Sequence, residues 1–107
     1  MITSIALLRA RDELSHTAFV DYYEKHHVPL VLSVAPAPAE YSRSYLPPRG
    51  ERRTPADFDV VTRLGFHTAA EREAWLAAVY ADGSGVAEDE ARFLDRAATR
   101  SWIVTER

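Results

Sequence analysis

Hydrophobic and polar positions alternate in four short segments, and this period of two predicts four β-strands. The predicted strands cover residues 2–9, 40–46, 58–66 and 102–105. In the third strand, one face carries Phe58, Val60, Thr62, Leu64 and Phe66. The opposite face carries Asp59, Val61, Arg63 and Gly65. Because successive side chains of a strand point to opposite sides, the first set predicts the side that faces the core.

The first helix is predicted to begin after Ser15, whose hydroxyl can accept a hydrogen bond from a free backbone N–H. Its apolar face consists of Phe19, Tyr22, Tyr23, His26 and Leu30, which are spaced as residues on one side of a helix. Pro29 has no backbone N–H and crowds the preceding turn. It is therefore predicted to kink this helix or to end it early.

Two more helices are predicted in the second half of the chain. Thr68 is the predicted N-cap of the first of these, and Glu71, three residues later, completes a capping box. The apolar face of that helix carries Trp75, Leu76, Val79 and Tyr80. Residues 83–85, Gly-Ser-Gly, should end the helix. Residues 87–98 are predicted to form a shorter helix around Phe93 and Leu94.

The resulting order, β-α-β-β-α-(α)-β, predicts an α+β domain of the ferredoxin-like type over residues 1–107. In this fold a four-stranded antiparallel sheet carries its helices on one face. The predicted core lies between helices and sheet and consists of Phe19, Tyr23, Leu30, Val60, Leu64, Phe66, Trp75 and Leu76. The other face of the sheet is left uncovered, so it must be covered by a partner or must line a cavity. We predict a homodimer formed across it, a dimeric α/β barrel, and a ligand cavity on this open face.

Composition and charge narrow the classes of function. The 107 residues carry a net charge of −3, and three arginines, Arg49, Arg52 and Arg53, fall in a polar loop predicted at 47–55. A protein without a basic stripe is not expected to bind nucleic acid. The absence of cysteine excludes disulfides and thiol catalysis and is compatible with a reducing cytoplasm. Neither a signal peptide nor a membrane-spanning segment is predicted.

Several segments, in the same order, resemble the EthD-like family. Residues 19–30, FVDYYEKHHVPL, are similar to the family signature of a Phe, an aromatic pair and His-x-Pro-Leu on the first helix. Residues 41–44, YSRS, resemble the second strand, which bears a tyrosine, and residues 58–66 resemble the third. Residues 89–95, DEARFLD, resemble the late acidic segment. Val60 and Ser44 depart from the residues usual at their positions, so the substrate stays open.

The resemblance implies a ferredoxin-like fold that dimerises through its sheets, and an association with catabolic operons or polyketide pathways. Some relatives are cyclases, dehydratases (lyases) or cofactor-independent oxygenases, and many have no assigned reaction. The histidine that it singles out is His27, which stands two residues before Pro29. His26 lies more centrally on the predicted apolar stripe and is expected in the core.

His27 is predicted to lie at the edge of the stripe, where an imidazole can act as an acid or a base. The alternative is a packing histidine bonded to a backbone carbonyl. His26 and His27 point about 100° apart on a helix, so they cannot hold one metal ion together. With no cysteine and no suitably spaced second ligand, neither a metal site nor a cofactor is predicted.

Two charged residues of the third strand are candidates beside His27. Asp59 could orient the imidazole, or it could be a solvent-facing or turn aspartate. Arg63 could bind a carboxylate or enolate oxygen, or it could pair with an acid at the surface. Aromatic side chains that could bind a flat phenolic or quinonoid ligand are Tyr23, Tyr41, Tyr45 and Trp102. The alternative places these four in the core or in the dimer interface.

Two functions therefore compete. The first is a cofactor-free enzyme that removes a proton next to a carbonyl of an aromatic or polyketide-like molecule, with His27 as general base and Asp59 behind it. The second is an accessory protein that sequesters a hydrophobic metabolite. An enzyme needs an imidazole that faces the pocket with a partner behind it, whereas a carrier needs only apolar walls.

Overall fold

The chain folds as an α+β structure in which four antiparallel strands form one sheet. A computed structural model describes residues 1–48 and 57–106. Arg49, Arg52 and Arg53 of the predicted polar loop lie outside the described residues. The strands are β1 (Ile2–Leu8), β2 (Glu40–Tyr45), β3 (Val60–Phe66) and β4 (Arg100–Val104), in the order β2-β3-β1-β4. The predicted ferredoxin-like sheet is confirmed, with strand ends that differ by one or two residues.

Helical segments connect β1 to β2 and β3 to β4. After β1 come α1 (His16–Tyr22), a π-helical turn (Tyr23–His27) and α2 (Val28–Val34). Between β3 and β4 come α3 (Ala69–Val79), α4 (Val86–Phe93) and a 3₁₀ turn (Arg96–Ala98).

Both predicted helix caps are present. Ser15 Oγ accepts from the backbone N–H of Ala18 at 3.1 Å, and Thr68 Oγ1 accepts from that of Glu71 at 3.1 Å. Each bond satisfies a backbone donor that has no partner inside its own helix.

The helix predicted over residues 87–98 is shorter than expected. It ends at Phe93 because Leu94 leaves the helix and forms a β-bridge with Ala10. The backbone N–H of Asp95 then donates to the carbonyl of Arg9 at 2.8 Å. Pairing with the end of β1 therefore replaces the last turn of the predicted helix.

The chain stays helical through Pro29, so the predicted early end does not occur. A π-helical turn precedes the proline instead, and the N–H of Val28 donates to the carbonyl of Tyr23, five residues earlier. The buried residues along this segment follow at intervals of four: Phe19, Tyr23, His27 and Val31. In a regular α-helix that spacing would drift by about 40° per step, and the wider turn takes up this drift.

The core forms two clusters between the helices and one face of the sheet. The first includes Phe19, Tyr23, Val60 and Phe93, and the second includes Val31, Phe66, Trp75 and Val86. Five of the eight predicted core residues are buried: Phe19, Tyr23, Val60, Phe66 and Trp75. The other three are partly buried and pack against the second cluster: Leu30, Leu64 and Leu76. Val31 takes the buried place expected for Leu30, and the other two line a cavity.

On the opposite face of the sheet, no helix of residues 1–48 and 57–106 is packed. Ile5 lies at its centre, opposite Arg63 of β3 and Trp102 of β4 in the strand register. Trp102 is 51% exposed. No helix among the described residues is long and apolar enough to cross a membrane.

Candidate functional site

A cavity of about 310 Å³ lies between the helices and the sheet. Small and medium side chains of the sheet form its floor: Ser4, Ala6, Thr62, Leu64 and Ser101. Its helical walls are mostly apolar and include Val31, Trp75, Leu76, Val79 and Val86. An apolar enclosure with a few polar groups is the usual form of a small-molecule site. The cavity was expected over the uncovered face of the sheet, and that prediction was wrong.

His27 lines this cavity and is only 4% exposed. Its Nδ1 lies 2.9 Å from Oδ2 of Asp89, which is also buried. An ionised carboxylate only accepts hydrogen bonds, so in neutral His27 Nδ1 carries the proton and Nε2 carries the lone pair. Nε2 has no hydrogen-bond partner within residues 1–48 and 57–106. This arrangement can remove a proton from a bound molecule and return it.

Asp89 is held from a second side by Tyr22, whose hydroxyl donates to Oδ1 at 2.5 Å. Burial raises the pKa of the Tyr22 phenol, and the bond to Asp89 raises it further. Tyr22 therefore stays protonated and keeps donating at neutral pH. With Tyr22 on one oxygen and His27 on the other, the carboxylate is fixed in orientation.

Tyr23 and Tyr41 supply phenols to the cavity wall. The hydroxyls of Tyr23 and Thr62 lie 2.7 Å apart across the helix–sheet boundary. Burial raises the pKa of both Tyr23 and Tyr41. A neutral phenol can donate a hydrogen bond to a developing oxyanion, so these residues suit the stabilisation of an enolate.

Tyr45, also predicted to bind substrate, belongs to a different contact. Its hydroxyl donates to Oε2 of Glu24 at 2.6 Å, and Arg43 binds the same carboxylate through Nε at 2.6 Å and Nη2 at 3.1 Å. Tyr45 does not line the cavity. It links β2 to the π-helical turn, and its ring packs edge-on against that of Tyr23.

Asp59 does not orient His27. Its Oδ2 accepts from the backbone N–H of Ala10 at 2.7 Å, and its own N–H donates to the carbonyl of Leu8 at 2.9 Å. The residue therefore joins the start of β3 to the end of β1. Its predicted place behind the imidazole is taken by Asp89, which the sequence prediction missed.

Arg63 and Trp102 lie away from the cavity. The strand register places both on the uncovered face, on either side of Ile5. Arg63 pairs with Glu40, Nε to Oε1 at 2.7 Å, and with Glu106. Neither residue can touch a ligand bound beside His27, because the sheet lies between them.

The two adjacent histidines have exchanged their expected environments. His26 is exposed and its ring stacks on that of Tyr22, with 5.0 Å between centroids. His27 is buried against Phe93, with 4.8 Å between centroids. The extra residue in the π-helical turn rotates the following side chains by about 100°, which brings His27 onto the buried face in place of His26.

A sequence signal for Asp89 exists in α4. The buried residues of this helix are Val86, Asp89 and Phe93, which follow at i, i+3 and i+7. An acid on the apolar stripe of an amphipathic helix is unusual unless it has a partner inside the protein. Within the described ranges, no group of three or more His, Asp or Glu side chains is placed to hold a metal ion.

Comparison with known proteins places this geometry in a wider group. The model of the EthD domain family matches residues 11–97, which include His27 and Asp89. A crystal structure at 1.40 Å of an ethyl tert-butyl ether d (EthD) family protein from Bacillus halodurans C-125 is similar over 100% of both chains. Its TM-score is 0.65 and its sequence identity is 18%, a likeness that shows the fold. No curated protein matches the chain.

Proposed function

This chain belongs to the EthD domain family, and we propose that it is a cofactor-independent enzyme acting on an aromatic or polyketide-like small molecule. The proposed reaction begins with removal of a proton next to a carbonyl. The substrate would then determine whether the resulting enolate undergoes cyclisation, dehydration or oxygenation. The observation that carries the proposal is His27 on the wall of a mostly apolar cavity, with Asp89 behind it, 2.9 Å from its Nδ1.

His27 is the proposed base. Its Nε2 takes the proton from the carbon next to the carbonyl, and the C–H electron pair moves into the enolate. Asp89 stabilises the imidazolium that forms and is a positioning residue, because it acts through His27. A positioned general base accelerates proton transfer by roughly 10²–10⁴-fold.

The negative charge that develops on the carbonyl oxygen needs a donor. Tyr41 lines the cavity and burial raises its pKa, so its phenol keeps its proton and can donate. The Tyr23 hydroxyl can serve the same purpose when it turns away from Thr62. Removal of one such donor typically lowers kcat by about 10²–10³-fold.

The accessory-protein alternative makes the same cavity a storage site. A carrier needs only apolar walls, whereas a general base needs an imidazole that faces the ligand with a partner behind it. His27 lines the cavity and Asp89 holds its Nδ1, which favours the enzyme. A carrier would bind ligand without exchanging its protons, so exchange and binding separate the two functions.

The experiment measures proton removal without knowledge of the full reaction. Aryl ketones, such as acetophenone, 4-acetylbenzoate and 2-acetylnaphthalene, are incubated with protein in D₂O, and loss of the α-proton signal is followed by NMR. We expect the wild type to accelerate exchange of at least one ketone. His27→Ala should lower that rate by roughly 10²-fold or more, and His26→Ala, the adjacent matched control, should not.

Binding of the ketones without any accelerated exchange would favour the accessory protein. Exchange that His27→Ala leaves unchanged, while Tyr41→Phe abolishes it, would replace the base with a phenol-centred mechanism.

We also propose that the molecule is a homodimer formed through the uncovered sheet face. Support comes from Trp102, 51% exposed, and from the apolar side chains beside it on that face, Ile5, Leu7 and Val61. Sedimentation at micromolar concentration tests this, and Trp102→Glu should yield monomers. A wild-type protein that sediments as a monomer would contradict it.

A further inference from the structure

We propose that Arg72 recognises a carboxylate of the ligand, so that the substrate class is a small aromatic or otherwise apolar acid. The inference rests on the proposed function, because it concerns a ligand of the same cavity. It adds a specificity-determining residue that the mechanism above does not use.

Arg72 lies in the first part of α3, on the stripe that faces the cavity. It precedes Trp75 by three residues and Leu76 by four, so it shares their side of the helix. All three residues line the cavity. The other side chains of this stripe are apolar. A charged residue is as unusual here as Asp89 is on the apolar stripe of α4.

One hydrogen bond fixes the guanidinium. Nε of Arg72 donates to Oγ of Ser4, on the floor of the cavity, at 3.2 Å. The two terminal nitrogens, Nη1 and Nη2, are left for other partners. Together they form the fork that binds the two oxygens of a carboxylate.

Arg72 has no counter-ion among the residues that the structure describes, whereas the other arginine of the cavity wall does. Nη2 of Arg96 lies 3.7 Å from Oε1 of Glu90. A partly buried cation without an acid beside it is costly, and a bound anion offsets that cost. The cavity is therefore expected to bind a negatively charged ligand, and Arg72 is the residue that would bind its carboxylate.

The floor of the cavity also sets a ligand size. Thr62, the partner of the Tyr23 hydroxyl, pairs with Ala6 across the sheet, and Ser4 lies two residues along β1 from Ala6. Such diagonal neighbours are roughly 7–8 Å apart. The strand positions of Ser4 and Thr62 are therefore separated by about the length of a benzene ring with one substituent at each end. An aryl ketone acid such as 4-acetylbenzoate fits it.

Three matched pairs of ligands test the charge requirement: benzoate, 4-acetylbenzoate and 2-naphthoate, each with its uncharged carboxamide. Affinities are measured by titration calorimetry on wild type, Arg72→Gln, Arg72→Lys and the control Arg96→Gln. Wild type should bind at least one acid roughly tenfold or more tightly than its amide, the usual gain from a charge-assisted bond. Arg72→Gln should remove the preference, Arg72→Lys should keep part of it, and Arg96→Gln should keep it all.

Equal affinity of every acid and its amide for wild type would overturn the assignment, while the exchange experiment on uncharged ketones would still decide the proposed function. An equal loss of preference in Arg72→Gln and Arg96→Gln would also overturn it, because a general positive field would then replace a specific site. If Arg72→Gln does not fold, the test uses Arg72→Lys. A preference for acid over amide as large in Arg72→Lys as in wild type would then contradict binding by the two terminal nitrogens of the guanidinium.

Discussion

Asp89 holds its carboxylate 2.9 Å from Nδ1 of His27, across the boundary between α4 and the π-helical turn. The two residues are 62 positions apart in the chain, and both are buried. The contact therefore depends on the fold as a whole, and it ties the chemistry of the cavity to the packing of α4 on the first helical segment.

Tyr22→Phe removes one oxygen atom from this arrangement. We expect a loss in the free energy of unfolding of about 0.5–1.5 kcal/mol, the usual net value of a hydrogen bond. The ring itself stays packed on Phe93, with 5.0 Å between centroids. Urea unfolding of the variant and the wild type measures the difference. No change in stability would mean that the contact between Tyr22 and Asp89 is not formed in solution.

His26→Ala should change the free energy of unfolding by no more than about 0.5 kcal/mol, as for most exposed positions. The reason is that His26 is exposed and contacts the ring of Tyr22 from outside. Thermal unfolding checks this. A loss of several kcal/mol would show that His26, and not His27, occupies the buried face.

Phe66→Ala should cost roughly 3–5 kcal/mol, because its ring is 2% exposed and packs on Trp75 at 5.6 Å between centroids. Leu32→Ala, at a position that is 46% exposed, is the control. Urea unfolding of both variants measures the costs. A cost below about 1 kcal/mol for Phe66→Ala would reverse the assignment of the strand faces.

Much of the fold could be predicted from local pattern, because the period of a strand and the cap of a helix are properties of adjacent residues. The alternation in residues 58–66 gave the correct faces of β3, and Thr68 with Glu71 gave the start of α3. The expected membership of the EthD family is likewise confirmed. These signals need no knowledge of what lies across the molecule.

The site needed information that local pattern lacks. One extra residue in the π-helical turn moves His27 inward and His26 outward, and no periodicity rule anticipates it. The partner of His27 lies on a different helix, so the nearer candidate in the predicted sheet, Asp59, was chosen wrongly. The strand prediction gave the face of Arg63, but the cavity lies on the other side of the sheet.

Glu24 makes stability depend on pH. The hydrogen bond from Arg43 lowers the pKa of the Glu24 carboxyl, and the bond from Tyr45 lowers it further. Since the folded pKa lies below the unfolded value of about 4.3, the contribution is complete above that pH and is lost as the pH falls through the folded pKa. The stability difference between wild type and Glu24→Gln should therefore shrink below about pH 4.3. Urea unfolding across this range measures it, and a difference independent of pH would contradict the assignment.

The most direct test of the central claim is a double-mutant cycle on the rate of α-proton exchange, with wild type, His27→Ala, Asp89→Asn and the double variant. Because Asp89 acts through His27, we expect Asp89→Asn to slow exchange at least about tenfold. The double variant should be no slower than His27→Ala alone, since residues that act as a unit are not additive. Two outcomes would contradict the assignment of His27 and Asp89 as one catalytic unit. In the first, the rate loss of the double variant equals the product of the two single losses; in the second, His27→Ala exchanges at the wild-type rate.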